Sequence, residues 1–441
     1  MVKIAFIGAG SVVFAQNLIG DLLSYPELTS CTISLMDIDD ERLEQTTTIA
    51  ERMVAEAELP ATIESTTDRE EALRDADYVL NMIHVGGREP FENEIRIPEK
   101  YGVYQAVGDT LGPGGVFRLL RTLPVLLEIA RDMERFCPDA YLLNYTNPMA
   151  MLCWAIDEAT DIEVLGLCHS VQHTAEAIAN YTNVPRDELQ YWVAGINHMA
   201  WFLDATYRGE SVYPALYDAM DDPDCYAQDN VRFEILRHFG AFVTESSNHM
   251  SEYVPYFRTE QATIENLIVD GEFEFYFTDW METGRYLEHW KEYQHEHATR
   301  DFANESFELE RSDEYGARII HSIETDTPRR MNINVRNTDA VIGNLGQDAC
   351  VEVPCLVDGT GIHPCSVGNL PAQLAALNSS NIAVQRLAVR GAIEGDLDAI
   401  RHAIKLDPLT AAALTLEEID EMIDDLREAN AAYLPDTLTQ E

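Results

Sequence analysis

A cysteine and a histidine stand just after two apolar runs, and their spacing leaves their chemistry open. Cys168 lies in the segment GLCHSVQ, and His198 lies 30 residues later in the segment GINHM. A thiolate with an imidazole fits a borderline divalent metal that keeps open coordination positions. The same groups could instead form a nucleophilic pair, or each could be an ordinary core residue. Spacing alone does not separate these three alternatives.

A glycine-rich turn near the start of the chain predicts dinucleotide binding. Gly8 and Gly10 lie between a predicted strand and a predicted helix, where a pyrophosphate would meet the helix N-terminus. Gly8 permits the tight turn, and Gly10 permits close approach of the backbone. Asp37 ends the second predicted strand, 27 residues after Gly10, in position to accept hydrogen bonds from ribose hydroxyls. This acid favours NAD over NADP, because it would repel a 2′-phosphate.

Three other stretches carry polar or aromatic groups that could serve a site. Asn147 follows a predicted strand in the segment NYTNP, and amides at the carboxyl end of a strand can bind sugar hydroxyls. The glycine-rich residues 108–115 suit a loop over the cofactor. Phenols cluster at Tyr253 and Tyr256 beside Glu252, although such clusters are most often packing. Taken singly, each stretch also fits an ordinary structural role.

The first 170 residues alternate between strand and helix patterns. Strands are predicted at 4–7, 32–36, 78–81, 141–144 and 164–167, and helices at 12–23, 41–57, 70–75 and 119–136, the last broken or restarted at Pro124. This alternation predicts an α/β fold with a Rossmann-like, doubly wound parallel sheet of the lactate or malate dehydrogenase type. Ligands are expected at the carboxyl ends of its strands.

The pattern changes after about residue 190. The segment 191–207 has strand character, Asp218–Asp229 reads as an acidic surface loop, 230–325 has mostly helical spacing, 351–357 reads as a buried strand, and 372–390, 396–404 and 416–432 read as helices. We therefore predict an NAD-binding domain at 1–190. A C-terminal α+β domain for substrate binding and oligomerisation is predicted at 191–441, fused tightly to the first.

The charge of the chain is far from ordinary, although its 46% hydrophobic content is typical of a globular protein. The formal net charge is −47 over 441 residues, with the carboxylates spread along the sequence. Self-repulsion at this charge destabilises a compact state in dilute buffer, whereas at molar salt the Debye length shrinks to about 3 Å. The composition therefore predicts a halophile's protein and excludes nucleic acid and anionic membranes as partners. Eight cysteines without a CxxC pair, and a start that enters a strand directly, predict a cytoplasmic location.

Six long motifs, in order along the chain, resemble glycoside hydrolase family 4, and within it the melibiase-type α-galactosidases. They are GAGS followed by Phe14, LMDID at 35–39, DTLGPGG at 109–115, LNYTNPMAM at 143–151, GLCHSVQ, and AGINHMA at 194–200. Later segments at 242–257, 350–358, 370–378 and 406–412 extend the resemblance over nearly the whole chain.

The resemblance implies a glycosidase mechanism that needs NAD and Mn²⁺ rather than two carboxylates. In this family NAD⁺ oxidises the C3 hydroxyl of the sugar, which makes the C2 proton acidic. The metal holds the C2 and C3 oxygens while a base removes that proton and the aglycone leaves from C1. Water then adds, and the C3 ketone is reduced again, so the net reaction is hydrolysis with retention. The expected substrate is a small terminal α-galactoside.

The resemblance also implies roles for particular residues. It assigns the metal to Cys168 and His198, the cofactor to Gly8, Gly10, Ser11, Val12, Phe14 and Asp37, the substrate to Asn147, Asp109 and Arg311, and the base to Tyr253 or, next, to Tyr256. The phospho-glucosidase branch has an aspartate acid directly after the metal cysteine. His169 stands there in this chain, and we expect it to protonate the leaving group.

Several rival functions remain at this stage. An α-galacturonidase, a 6-phospho-glycosidase or another α-glycosidase of the same family would need a cationic pocket for a charged substrate, and the chain is poor in lysine. An NAD-dependent dehydrogenase would share only the first domain and would give no reason for the Cys168 and His198 pair. A catalytically silent sugar sensor is a third rival. Members of the family assemble as dimers or tetramers, so a homodimer or homotetramer is expected.

Overall fold

One sheet runs through the molecule in the computed structural model, which describes residues 1–260, 262–264, 309 and 311–439. Its strands are β1 (Lys3–Ile7), β2 (Thr32–Met36), β3 (Thr62–Thr66), β4 (Tyr78–Asn81), β5 (Tyr141–Asn144), β6 (Val164–Gly166), β7 (Leu189–Ile196), β8 (Met199–Tyr207), β9 (Glu210–Ser211), β10 (Phe242–Val243), β11 (Arg329–Arg336), β12 (Cys350–Asp358) and β13 (Gly361–Pro364). The three residues of the candidate metal site, Cys168, His198 and Glu245, each lie directly after a strand of this sheet.

The first six strands form a parallel sheet in the order β3-β2-β1-β4-β5-β6. The helices that connect them are α1 (Val12–Leu23), α2 (Asp40–Glu56), α3 (Arg69–Leu73), α4 (Arg88–Tyr101), α5 (Gly112–Phe136), α6 (Met149–Ala159) and, after β6, α7 (Ser170–Thr182). The chain reverses its direction of winding between β1 and β4, where such sheets bind ligands. The predicted α/β, Rossmann-like fold is confirmed.

Antiparallel strands continue the same sheet beyond β6. β11 pairs with β6, and the order then runs β12, β7, β8 and β10. β13 pairs with β12, and β9 pairs with β8. Because one sheet crosses residue 190, the proposed division into domains at 1–190 and 191–441 stays a prediction.

Helices from the second half of the chain pack against the first half. They are α8 (Tyr213–Met220), α9 (Pro223–Gln228), α10 (Asn230–Phe239), α11 (Ser247–Ser251), α12 (Gly316–Thr325), α13 (Ala372–Glu394), α14 (Leu397–Leu406), α15 (Pro408–Ala413), α16 (Leu416–Ala429) and α17 (Asp436–Thr439). α13 contacts α5 and α6, and α12 contacts α1. None of the helices in the described ranges is long and apolar enough to cross a membrane.

Three predictions about local structure are wrong. The acidic segment Asp218–Asp229 contains α9 and the end of α8, and α5 continues through Pro124 without a break. The glycine-rich residues 108–115, predicted as a loop over the cofactor, are buried and form a packed turn and the first turn of α5. A Cβ on Gly114 would lie 2.4 Å from the carbonyl oxygen of Gly108, so glycine permits this close contact. Of the helical spacing predicted for 230–325, residues 265–308 lie outside the described part.

Candidate active site

Three side chains with metal-ligating atoms meet at one edge of the sheet. The ligating atoms of Cys168, His198 and Glu245, one from each residue, all lie within 4.8 Å of one another. Cys168 follows β6, His198 lies in the turn between β7 and β8, and Glu245 follows β10. Sulfur, nitrogen and oxygen donors together suit a first-row divalent cation. The group therefore fits the metal site that the sequence predicts and adds a third residue to it.

Strand pairing brings His198 and Glu245 together. The pairing of Ile196 with Met199 leaves only two residues for the turn, and His198 is the second of them. The Thr244 N–H donates to the carbonyl of Ala200 at 2.8 Å. Because Ala200 lies two residues after His198, this bond places the next residue, Glu245, beside the turn.

Both residues have a left-handed backbone conformation, with φ of 62° at His198 and 75° at Glu245. Such a conformation costs about 1–3 kcal/mol for a non-glycine residue, and it persists where the surroundings enforce it, often at functional sites. Two such residues in one group of three point to a functional constraint.

The His198 ring is oriented for metal binding through one nitrogen. Its Nδ1 lies 3.0 Å from Thr110 Oγ1 and 3.2 Å from the Tyr253 hydroxyl, while its Nε2 lies 3.4 Å from a Glu245 carboxylate oxygen. A proton on Nδ1 leaves the Nε2 lone pair free. Burial lowers the pKa of His198 to about 4, although the Glu245 charge opposes this. The ring is therefore neutral at physiological pH, as a metal ligand must be.

The Cys168 sulfur accepts a hydrogen bond from the backbone N–H of Ser170 at 3.4 Å, at the start of α7. Burial and the charges of Glu352 and Glu245 nevertheless raise the pKa of the thiol well above its usual range. Without a cation the group is a neutral thiol, so metal binding must release its proton. This environment disfavours Cys168 as a free nucleophile.

A buried histidine next to the group contacts three carboxylates. His249 Nε2 lies 3.3 Å from Asp109 and 3.2 Å from Glu252, and its Nδ1 lies 3.6 Å from Glu245. Burial favours the neutral ring, but these carboxylates together raise the pKa of His249 well above its usual value. The histidine is therefore an imidazolium that partly neutralises the acidic cluster.

The two predicted substrate residues in the first half of the chain contact each other here. The Asn147 amide donates to Asp109 at 2.9 Å. Burial alone would raise the pKa of the Asp109 carboxyl, but the hydrogen bond and charge of His249 lower it. The carboxylate is ionised and holds the amide in one orientation, with the amide oxygen of Asn147 available to a hydroxyl.

The glycine turn forms a separate site at the ends of β1 and β2. Gly8 has a φ of 89°, and a Cβ there would lie 2.9 Å from the Ile83 amide nitrogen. The Gly10 N–H donates to Asp37 at 2.7 Å, and a Cβ on Gly10 would lie 2.6 Å from the same carboxylate. A side chain at Gly8 would meet backbone, and one at Gly10 would have to displace the Asp37 carboxylate, which suits a turn that a pyrophosphate must approach closely.

The remaining residues predicted for the cofactor begin α1. Ser11 is the exposed N-cap of α1, and Val12 is its first residue. Phe14 packs edge-on against Tyr145, with 4.9 Å between the ring centroids. Because Tyr145 lies two residues before Asn147, this contact joins the helix after the glycine turn to the segment that carries Asn147.

The structure separates the two candidate base residues. Tyr253 is 2% exposed and contacts His198, whereas Tyr256 is 50% exposed and packs against Phe239 and Phe257. Burial and nearby carboxylates raise the pKa of Tyr253 well above its usual value. Tyr256 therefore lies outside the group in this arrangement, which favours Tyr253, and the assignment of the base stays a prediction.

His169 and Arg311 have different surroundings. The His169 ring is half exposed beside Cys168, and its Nδ1 lies 3.1 Å from Glu314. Arg311 donates to the Ser24 hydroxyl and carbonyl and lies 3.9 Å over the Tyr25 ring, at the C-terminal end of α1. Because α1 begins at the glycine turn and runs away from it, Arg311 is not brought to the substrate residues. Its predicted role in substrate binding stays a prediction that these contacts do not support.

Sequence reasoning missed the third member of the metal group and three residues that surround the group. These are Glu245 in the group and Thr110, His249 and Glu252 around it. Glu245, His249 and Glu252 share one segment at spacings of four and three, with charges that alternate between acid and histidine. That spacing indicates one helical face, but the positive φ of Glu245 and the turn at His198 could not be read from the sequence.

Comparison with known proteins identifies the family. Residues 3–184 match the model of the family 4 glycosyl hydrolases, and residues 193–410 match the model of the C-terminal domain of that family. An α-galactosidase of Bacillus subtilis is 41% identical over 441 residues, covering 99% of this chain and 100% of the relative. An α-galacturonidase of Lachnoclostridium phytofermentans is 29% identical over 462 residues, covering 98% and 97%.

A solved structure with the same fold is the 6-phospho-β-glucosidase of Thermotoga maritima with manganese, NAD⁺ and glucose-6-phosphate. It superposes with a TM-score of 0.80 at 22% identity, covering 98% of this chain and 99% of that one.

Proposed function

We propose that this chain, which belongs to family 4 of the glycosyl hydrolases, is an α-galactosidase that requires NAD and Mn²⁺ or another divalent metal. The observation that carries the proposal is the convergence of Cys168, His198 and Glu245 within 4.8 Å at the edge of a dinucleotide-binding sheet. A dehydrogenase would have no use for this group beside its cofactor turn. A retaining hydrolase that oxidises its substrate transiently needs both.

Each cofactor has residues that fit it. Cys168, His198 and Glu245 would hold the metal, Gly8, Gly10 and Ser11 the pyrophosphate, and Asp37 the ribose hydroxyls. When bound, NAD accepts and returns a hydride at the sugar C3, and the metal polarises the oxygens on C2 and C3. The side chains of the protein must bind the sugar and move its protons.

Tyr253 is the proposed base for the C2 proton. Its hydroxyl lies 3.2 Å from Nδ1 of His198, directly behind the proposed metal ligand. Burial and the charges of Glu252, Asp109 and Glu245 raise its pKa, so its ionisation requires positive charge at the neighbouring group. The base therefore becomes active only in the loaded enzyme.

His169 is the proposed acid for the leaving group. Burial lowers its affinity for a proton, but the hydrogen bond to Glu314 and the surrounding carboxylates raise its pKa above the usual value. A half-exposed, protonated ring beside Cys168 suits transfer of a proton to a departing oxygen. Asn147, oriented by Asp109, would bind a hydroxyl of the sugar.

The charge of the site favours a neutral sugar. Asp109, Glu245 and Glu252 are three buried or half-buried carboxylates around one imidazolium, so a substrate carboxylate would meet repulsion. This favours a galactoside over the galacturonide that the Lachnoclostridium relative is named for. Matched aryl α-galactoside and aryl α-galacturonide distinguish the two, and faster turnover of the galacturonide would overturn the assignment.

The test of the function is hydrolysis of an aryl α-galactoside in molar KCl, with NAD⁺, Mn²⁺ and thiol each omitted in turn. We expect activity to need all three additions, and hydrolysis that survives removal of both NAD⁺ and metal would exclude this mechanism. Stoichiometric accumulation of NADH would instead indicate a dehydrogenase.

We further propose that the enzyme works in the cytoplasm of a halophile as a homodimer or homotetramer. The net charge of −47 supports the halophilic setting. Circular dichroism against KCl concentration should show loss of structure in dilute buffer, and full stability there would contradict the proposal. Light scattering in molar KCl gives the number of subunits, and a monomer would contradict the assembly.

A further inference from the structure

One buried carboxylate holds a loop of the first domain through its backbone. Glu252 accepts hydrogen bonds from the N–H groups of Ala106 at 2.5 Å, Val107 at 3.0 Å and Gly108 at 3.2 Å. Its other oxygen lies 3.3 Å from the Gly108 nitrogen and 3.2 Å from His249. Three backbone donors on one side chain form a geometrically specific contact.

The loop held in this way carries two residues of the site. Asp109 binds the Asn147 amide at 2.9 Å, and Thr110 lies 3.0 Å from Nδ1 of His198. Directly next to Glu252 in the chain is Tyr253, whose hydroxyl reaches the same His198 nitrogen. The carboxylate therefore stands between the proposed base and the loop that orients the substrate residue.

We propose that Glu252 is a positioning residue that sets the distances among the Tyr253 phenol, His198 and the Asp109–Asn147 pair. The proposal rests on the proposed function, because it assumes that Tyr253 takes a proton. Glu252 itself need not touch the sugar. Its effect is transmitted through residues 106–110 on one side and through the peptide link to Tyr253 on the other.

A second set of hydrogen bonds, made by Gln105, should confine the effect of losing the Glu252 side chain to residues 106–110. Gln105 donates to the carbonyl of Glu94 at 2.8 Å and accepts from the Gly114 N–H at 2.8 Å. These contacts hold the base of the loop independently of Glu252. Removal of the carboxylate should therefore release residues 106–110 without unfolding α5, and it leaves three buried donors to find water.

The first experiment measures amide hydrogen exchange by mass spectrometry over peptides that span residues 104–111, in the full chain without substrate. We expect Glu252→Ala to exchange its 106–108 amides at least about tenfold faster than the wild type. Glu260→Gln, an exposed glutamate eight residues on, is the matched control and should leave exchange unchanged. Unchanged protection in Glu252→Ala would overturn the proposal.

The second experiment separates positioning from simple loss of stability. A misplacement of about 1 Å can cost about 100-fold in rate, so Glu252→Ala should lower kcat by about that factor while KM changes little. Glu252→Gln keeps one oxygen for the loop amides and should recover much of the rate. Ile400→Ala, in the buried face of α14, lowers stability without touching the loop and should leave kcat unchanged.

If Ile400→Ala lowers kcat as much as Glu252→Ala does, loss of stability alone explains the effect, and Glu252 has no positioning role. So would a Glu252→Gln variant as slow as Glu252→Ala that shows wild-type loop protection. If the wild type itself fails to cleave α-galactosides, the proposed function fails. The exchange result would still report whether Glu252 holds the loop.

Discussion

The glycine turn and the metal group are built in opposite ways. The turn at Gly8 and Gly10 uses backbone atoms from adjacent residues, and it excludes side chains by contacts of 2.9 Å and 2.6 Å. The metal group uses side chains that come from β6, the β7–β8 turn and the end of β10. Two of its three residues have a left-handed backbone. One site is local and relaxed, whereas the other is assembled from distant segments and strained.

This difference predicts which substitutions should weaken ligand binding at each site. Adding atoms should damage the cofactor turn, whereas removing donor atoms should damage the metal group. The two sites share no residue, so their ligands should respond separately. Substitutions that weaken the binding of one ligand and leave the other unchanged would show that the two sites are independent.

The largest effect is expected from removal of a metal donor. Cys168→Ser should abolish measurable Mn²⁺ binding and lower kcat/KM by about 1,000-fold, since a metal contributes several kcal/mol of transition-state stabilisation. NAD⁺ affinity should stay within a factor of about three, as expected for sites with separate ligands. Calorimetry measures the affinity for each ligand. An equal loss of NAD⁺ affinity in Cys168→Ser would contradict the independence of the two sites.

The second effect is the pH dependence of Mn²⁺ binding. The pKa of Cys168 is raised, that of His198 is lowered to about 4, and that of Glu245 is lowered. Between pH 6 and 8 the thiol is therefore the only one of the three that must lose a proton to bind a metal. Metal binding then releases one proton, and the affinity should rise about tenfold per pH unit. Titration in buffers of different ionisation enthalpy measures that release. A flat profile would show that the thiol is already ionised.

A smaller effect is expected at the cofactor turn. In Gly10→Ala the added methyl group would meet Asp37 Oδ2, displacing the carboxylate proposed to bind the ribose. The affinity for NAD⁺ should fall about tenfold, which corresponds to about 1.4 kcal/mol, while Mn²⁺ binding is unaffected. Glu51→Ala, on the exposed face of α2, serves as the control. Wild-type NAD⁺ affinity in Gly10→Ala would contradict the proposed location of the cofactor.

The smallest effect concerns the strained backbone at Glu245. Both Glu245→Gly and Glu245→Ala lose the carboxylate, but only glycine relaxes a φ of 75°. Without metal, the glycine variant should be more stable than the alanine variant by about 1 kcal/mol. Urea unfolding in molar KCl measures the difference. Equal stability would mean that the left-handed conformation stores no strain.

Much of the parallel sheet and the cofactor turn could be predicted from the sequence, because their signals are local. Apolar runs ended by glycine or an acid mark β1 and β2, and the spacing from Gly10 to Asp37 follows from one βαβ unit. The strand β3 was missed because its burial pattern shows no apolar face. The packing of residues 108–115 could not be predicted, because the sequence does not reveal what packs against their glycines.

The metal group could be predicted only in part. Cys168 and His198 were found through motif resemblance, whereas Glu245 depends on the pairing of β10 with β8. The resemblance ranks Tyr253 before Tyr256 as the base, but the sequence does not reveal that the first is 2% and the second 50% exposed. The contacts of Arg311 with Ser24 and Tyr25 span almost 290 residues, so they could not be read from the sequence either. Long-range contacts decided each of these outcomes.

The most direct test of the central claim is hydrolysis of an aryl α-galactoside in D₂O with NAD⁺ and Mn²⁺ present. Removal of the C2 proton by Tyr253 followed by return of a proton from solvent should place deuterium at C2 of the galactose, which NMR detects. The C3 hydrogen should remain protium, because the hydride returns to the carbon it left. Galactose that carries only protium at C2 would contradict the mechanism, whatever the rate of hydrolysis.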